Sequence, residues 1–143
     1  MNFKPFSNAQ YDADDDAKIQ VAEYASRYWA IDNVRVNPNQ YGIDLIGDVN
    51  GISAGIEVEV KHNWSGPNFP FSTVHFSARK TKFLAEAQMV YFCMVNHERT
   101  HMVAIEHGGF HESKLVQKST KVSQGEWFIQ IPLSRFETYD LLS

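Results

Sequence analysis

Apolar residues recur along this chain at two different spacings, and the changes of spacing mark its elements. In "DADDDAKIQVAEYASRYWA" (12–30), Ala17, Val21, Ala25 and Tyr28 fall three or four apart, on one helical stripe. Acidic residues lead it, where the helix dipole favours them, so a helix is predicted. "NVRVN" reads as a short strand stopped by Pro38 and the polar "NPNQYG" turn. "IDLIGDV" and "ISAGIEVEVKH" read as two strands joined at Asn50 and Gly51, a dipeptide that tolerates the positive φ of a tight hairpin turn. After the Pro- and Gly-containing loop "NWSGPNFPFST" comes "VHF", then "SARKTKFLAEAQ", a predicted helix capped by Ser77 with Phe83, Leu84 and Ala87 facing the core. "MVYFCMVN" is a continuous apolar run, the mark of a strand covered on both faces. "HMVAIEH" follows as a further strand, the region from Gly108 to Gly125 is ambiguous, and "EWFIQIP" reads as a last strand ended by Pro132. The order predicts a mixed α/β domain with a central mixed sheet flanked by helices, formed by residues 1–143 as one domain.

Charges interrupt the hairpin. A buried carboxylate must be paired, protonated or bound to a metal, because desolvating it costs several kcal/mol. If Val49 pairs with Ile52 across the turn, Asp44 falls opposite Glu57, and the two-residue alternation puts Glu57, Glu59 and Lys61 on that same face. Three carboxylates so close repel one another, and Lys61 alone cannot neutralise them. Clustered oxygen ligands suit a hard cation, Mg²⁺ or Mn²⁺, whose open positions accept phosphate oxygens and a water of lowered pKa. Lys61 stands next on the face, placed to orient or deprotonate that water.

Asp44, followed on the next strand by Glu59, Val60 and Lys61 as "EVK", resembles the PD-(D/E)XK nuclease superfamily over roughly residues 12 to 96. The resemblance implies a restriction-endonuclease-like α-β-β-β-α-β core, with Asp44 and Glu59 as ligands of the divalent ion and Lys61 assisting the attacking water. Gly42 and Ile43 stand where the motif has its proline, and Glu57 is an additional acid, either a further ligand or a neighbour. The expected activity is metal-dependent hydrolysis of phosphodiester bonds in DNA, structure-selective or weakly sequence-specific. Junction resolvases and phage endonucleases are among the small members, and two-fold dimers are frequent there. The alternative is a noncatalytic module of the same fold that binds nucleic acid or protein.

Arg79 and Lys80 fall in the first turn after Ser77, where a helix dipole disfavours cations but an anion would be welcome, so both are candidate phosphate contacts. His62 and His75 flank the site through the loop and are candidates for touching substrate. Trp64, Phe69 and Phe71 either stack on bases or cover the core. Glu23 lies nearly opposite the apolar stripe and reads as solvated. His97, His101, His107 and His111 form two H-x3-H pairs, but the first brackets a turn and no cysteine assists, so they read as loop residues rather than zinc ligands.

Net charge is -4, unusual for a phosphate binder, yet residues 1–16 hold four aspartates against Lys4; the rest of the chain nets -1, with 12 Lys and Arg against 13 Asp and Glu. "ARKTK" and Lys114, Lys118 and Lys121 leave room for a local basic patch. Cys93, the sole cysteine, reads as a buried structural thiol and allows no internal disulfide. The N-terminus lacks an apolar signal core and no stretch reaches membrane-span length, so a soluble, cytoplasmic protein is expected.

Overall fold

The structure is a computed structural model that describes residues 9–118 and 125–142. The N-terminal arm and Lys121 lie outside the described residues. Helix α1 (Ala9–Tyr28) is followed by β1 (Asp32–Val36), β2 (Leu45–Val49) and β3 (Ile52–Lys61). Then come β4 (Thr73–Ser77), a 3-10 segment (Ala78–Ala85), β5 (Met89–Asn96) and β6 (His101–Glu106). A second 3-10 segment (His107–Glu112) leads to β7 (Lys114–Lys118) and β8 (Glu126–Pro132), and a third (Leu133–Arg135) to β9 (Glu137–Asp140).

Six of these strands form a mixed sheet in the order β1-β2-β3-β5-β6-β9, and three form a smaller one, β4-β8-β7. The hairpin forms in the predicted register, with Val49 opposite Ile52, because Asn50 (φ 49) and Gly51 (φ 85) both take the left-handed conformation its turn needs. β5 runs parallel to β3, with Glu57 beside Phe92 and Lys61 beside Asn96. A parallel neighbour requires a long crossover, and residues 62–88 supply it, carrying β4 and the first 3-10 segment over the sheet.

β5 is covered on both faces, as its apolar run requires. On one side α1 lays Ala17, Val21, Ala22 and Ala25 against Ile56, Val58, Cys93 and Val95. On the other, Val74, Phe76, Ile129 and Ile131 of the small sheet meet Phe92, Met94, Val103 and Ile105. Phe76 stacks on Phe92 at 4.6 Å between ring centroids. Cys93 is buried among these residues, which pushes its thiol pKa up.

The fold departs from the sequence reading in several details. Tyr28, expected on the buried stripe, is exposed and rests on Tyr24. "VHF" leaves the main sheet to pair with β8, and β8 is not the last strand, since β9 follows and pairs with β6. The helix predicted over "SARKTKFLAEAQ" forms as a 3-10 segment. Residues three apart eclipse in that geometry, and Lys80 and Phe83 both turn inward, one to carboxylates and the other into the core. Among the described residues no helix is long and apolar enough to cross a membrane.

Candidate active site

The β2-β3 ladder stops at Leu45 and Ile56, and beyond it side chains take over the bonding of the backbone. Asp44 accepts from the Val58 N–H through Oδ2 at 2.9 Å, and its own N–H donates to Glu57 Oε1 at 3.3 Å. The Asp44 carbonyl accepts from Asn37, and the Ile43 N–H donates to Glu86 Oε1 at 3.1 Å. Three separate stretches of chain thereby hold the segment of this aspartate. A side chain on Gly42 would sit 2.6 Å from both Asn37 Nδ2 and Glu86 Oε1, so it would push aside the ends of these two side chains.

Glu57, Glu59 and Lys61 share a face of β3 as predicted. Lys80 enters between the two glutamates, its Nζ 3.1 Å from Glu57 Oε2 and 3.0 Å from Glu59 Oε1. Lys61 Nζ lies 2.7 Å from Glu59 Oε2 and donates to the His75 carbonyl at 3.1 Å. Lys18, from α1, reaches Asp44 Oδ1 at 3.3 Å.

These surroundings divide the acids. Burial, and then the charge of Asp44, raise the Glu57 pKa to about 8 against the opposing pull of Lys80, so Glu57 holds its proton at neutral pH. Burial also pushes Glu59 upward, but Lys80 and then Lys61 outweigh it and hold Glu59 below the usual carboxylate range. Lys80 shows the reverse balance: desolvation pulls its pKa down, while Glu59 and Glu57 more than restore it. With Glu57 neutral, two carboxylates face three ammonium groups, and the cluster carries a net positive charge that suits a phosphate.

The donors Asp44, Glu57 and Glu59 offer the oxygen chemistry of a hard divalent cation. Within the cluster, however, their oxygens are directed at lysines. Among the described residues no three His, Cys, Asp or Glu side chains converge as a metal cradle. The ammonium of Lys80 holds the bridging place between Glu57 and Glu59 that a cation would take. The donor set therefore fits such an ion in kind, on the condition that Lys80 moves aside.

The other candidates are spread around this cluster. Arg79 has a side chain 82% exposed, with its Nη2 3.6 Å from Glu126 and its Nε on Ser77 Oγ. Ser77 caps as predicted, accepting from the Arg79 N–H. His62 is exposed beside His97, Nδ1 to Nδ1 at 3.2 Å. His75 bonds Gln130 at 2.9 Å, Trp64 is wholly buried, and Glu23 is exposed. Sequence reasoning passed over Lys18 and Glu86, which lie 26 and 43 positions from the residues they reach, Asp44 and Ile43, and leave no local pattern. It also passed over Asn96, fully buried, whose amide holds Gly66 of the loop and Thr100 of the next turn. A buried strand ending on Asn was the available signal.

What these features define is a class of domain: a mixed α/β sheet with an acid and lysine cluster where two of its strands part. No family model and no curated protein matches the chain. Among solved structures it is similar to Hjc, a Holliday junction resolvase of Archaeoglobus fulgidus, with 12% identity, a TM-score of 0.46, and coverage of 83% of this chain and 94% of that one. A likeness at this level concerns the path of the chain, and nothing about the site rests on it.

Proposed function

We propose that this domain is a divalent-metal-dependent nuclease of the PD-(D/E)XK type that hydrolyses phosphodiester bonds in DNA, with structure-selective or weakly sequence-specific cutting. The observation that carries the reading is that Glu57 and Glu59 share one cation, the Lys80 ammonium, with Lys61 bound to Glu59 and the Asp44 backbone bonded to Glu57 beside them. Asp44, Glu59 and Glu57 would hold Mg²⁺ or Mn²⁺. Such an ion, when bound, neutralises phosphate charge and lowers the pKa of a coordinated water.

The remaining work falls to the chain itself. An ammonium has three N–H donors, and Lys61 spends two, on Glu59 and on the His75 carbonyl. The third is left to orient the attacking water and to stabilise charge developing on the phosphate. Lys80, when it releases the glutamates, moves toward the incoming phosphate, and the exposed Arg79 contacts the backbone beside it. His62 touches substrate at the outer edge. A two-fold dimer would present two such sites, and light scattering tests it.

The test is a panel of labelled branched, nicked, single-stranded and duplex DNAs incubated with Mg²⁺ or Mn²⁺. Cutting is expected from the wild type and is lost on the order of 10²-fold or more in Asp44→Ala and in Lys61→Ala, both folded by circular dichroism. Cutting that persists in both variants refutes the assignment. A second reading, a noncatalytic module that binds nucleic acid or protein, is favoured by one fact: Asp44, Glu57 and Glu59 each already have a lysine as partner, Lys18 on the first and Lys80 on the other two. Binding without cutting, across all ions and substrates, would establish it.

A further inference from the structure

Beside Lys61, on the side away from Asp44, lies a cleft of about 220 Å³ whose walls include Lys61, Phe69, Phe71, His75 and Lys118. Two aromatic rings line it, backed by a third in the core. Trp64 is fully buried, Phe69 packs edge-on against it at 5.1 Å, and Phe71 packs edge-on against Phe69 at 5.7 Å. Core packing accounts for the inner two rings. It does not account for Phe71, which is held in place by its neighbour yet is 46% exposed.

The polar walls have one sign. Lys61 and Lys118 supply the charge, and among the described residues no carboxylate lines the cleft. Lys118 Nζ is held 5.4 Å above the Phe128 ring. His75 is neutral at pH 7, its pKa lowered first by burial and further by Lys118 and Lys61, against the bond to Gln130. The volume falls below the roughly 300–1,000 Å³ of clefts that take a drug-sized ligand, which limits the occupant to a single small ring system. A flat ring with an anionic tether meets every one of these features. In a duplex both faces of a base are covered by its neighbours, so a base that enters here must be unpaired.

The geometry points to a pocket for one unpaired nucleotide of the substrate, its base stacked on Phe71 and its phosphate drawn to Lys118, next to the bond presented at Lys61. The choice of DNA as substrate is taken from the nuclease reading above, and the pocket narrows that substrate to DNA with flaps, gaps or single-stranded arms.

Fluorescence anisotropy in EDTA, where nothing is cut, tests the pocket apart from catalysis. The probes are a labelled duplex with a short single-stranded flap and a blunt duplex of equal length. Phe71→Leu keeps apolar volume but removes the ring; it is expected to weaken flap binding about tenfold, the scale of one lost base–aromatic stack, and to leave blunt-duplex binding unchanged. Phe71→Trp should restore the preference, and Lys118→Gln should reduce it and flatten its salt dependence. Thermal melts of each variant establish that it is folded. Equal weakening on both probes, or none on either, overturns the pocket. Flap preference without cutting by the wild type in Mg²⁺ or Mn²⁺ supports the pocket while sinking the nuclease reading, and cutting without flap preference does the opposite.

Discussion

The two faces of β3 are held by opposite means. Ala54, Ile56, Val58 and Val60 point beneath α1 and are packed by alanine, valine and cysteine side chains. Gly55, Glu57, Glu59 and Lys61 point the other way, and from Glu57 onward the contacts are ionic. A face of apolar packing is sensitive to volume and indifferent to pH. A face of charges responds to protonation, because Glu59 is held ionised by lysines while burial holds Glu57 protonated. One strand therefore carries both a rigid support and a responsive surface, a single residue out of step.

The largest effect is expected on the packed face. Ile56→Ala, at a position 1% exposed, should cost about 2–5 kcal/mol in urea unfolding, by the same amount at pH 5 and pH 8. A pH-dependent loss would show that the two faces are not separable.

On the charged face, Lys80→Ala should cost about 1–3 kcal/mol at pH 8, since it leaves two part-buried acids without their shared partner. The sign follows from Glu59. Its folded pKa lies below the unfolded 4.5, so its pairing contributes stability above that pH, and this is lost as pH falls through the folded value. The penalty of Lys80→Ala should accordingly shrink in acid. Mg²⁺ should raise the Tm of this variant more than that of the wild type, because the ion takes the vacated place.

The smallest effect has the opposite sign. Glu57 is raised to about 8, so between pH 4.5 and 8 the folded chain holds a proton that the unfolded chain has released, and stability falls as pH rises through that window. Glu57→Gln removes the dependence. In EDTA it should melt a few degrees above the wild type at pH 8 and nearly level with it at pH 4.5. Equal melting at pH 8 would place Glu57 in the ordinary carboxylate range.

Local signals carried much of this site. Asn50 and Gly51 fixed the turn, the turn fixed the register, and the register brought Asp44 to Glu57, as their bond at 3.3 Å shows. The apolar run of β5 foretold its double cover in the same way. Contacts that close over long separations left no such trace. His75 pairs with Gln130 across 55 positions, so the small sheet was not foreseen although its strands were partly seen. The sequence reading takes Lys80, with Arg79, as a phosphate contact in the first turn of a helix. The 3-10 geometry, turning Lys80 and Phe83 inward together, placed it among the acids instead. Lys18 reaches Asp44 from another element altogether, and no spacing within α1 distinguishes it.

On the proposed function, this acid cluster exchanges an internal ammonium for a divalent cation, and a Mn²⁺ titration followed by electron paramagnetic resonance reads that exchange. In the wild type at pH 8 the signal of free Mn²⁺ should stay suppressed until the site saturates, and in Asp44→Asn it should rise from the first addition. Identical curves for the two proteins would show that Asp44 holds no ion.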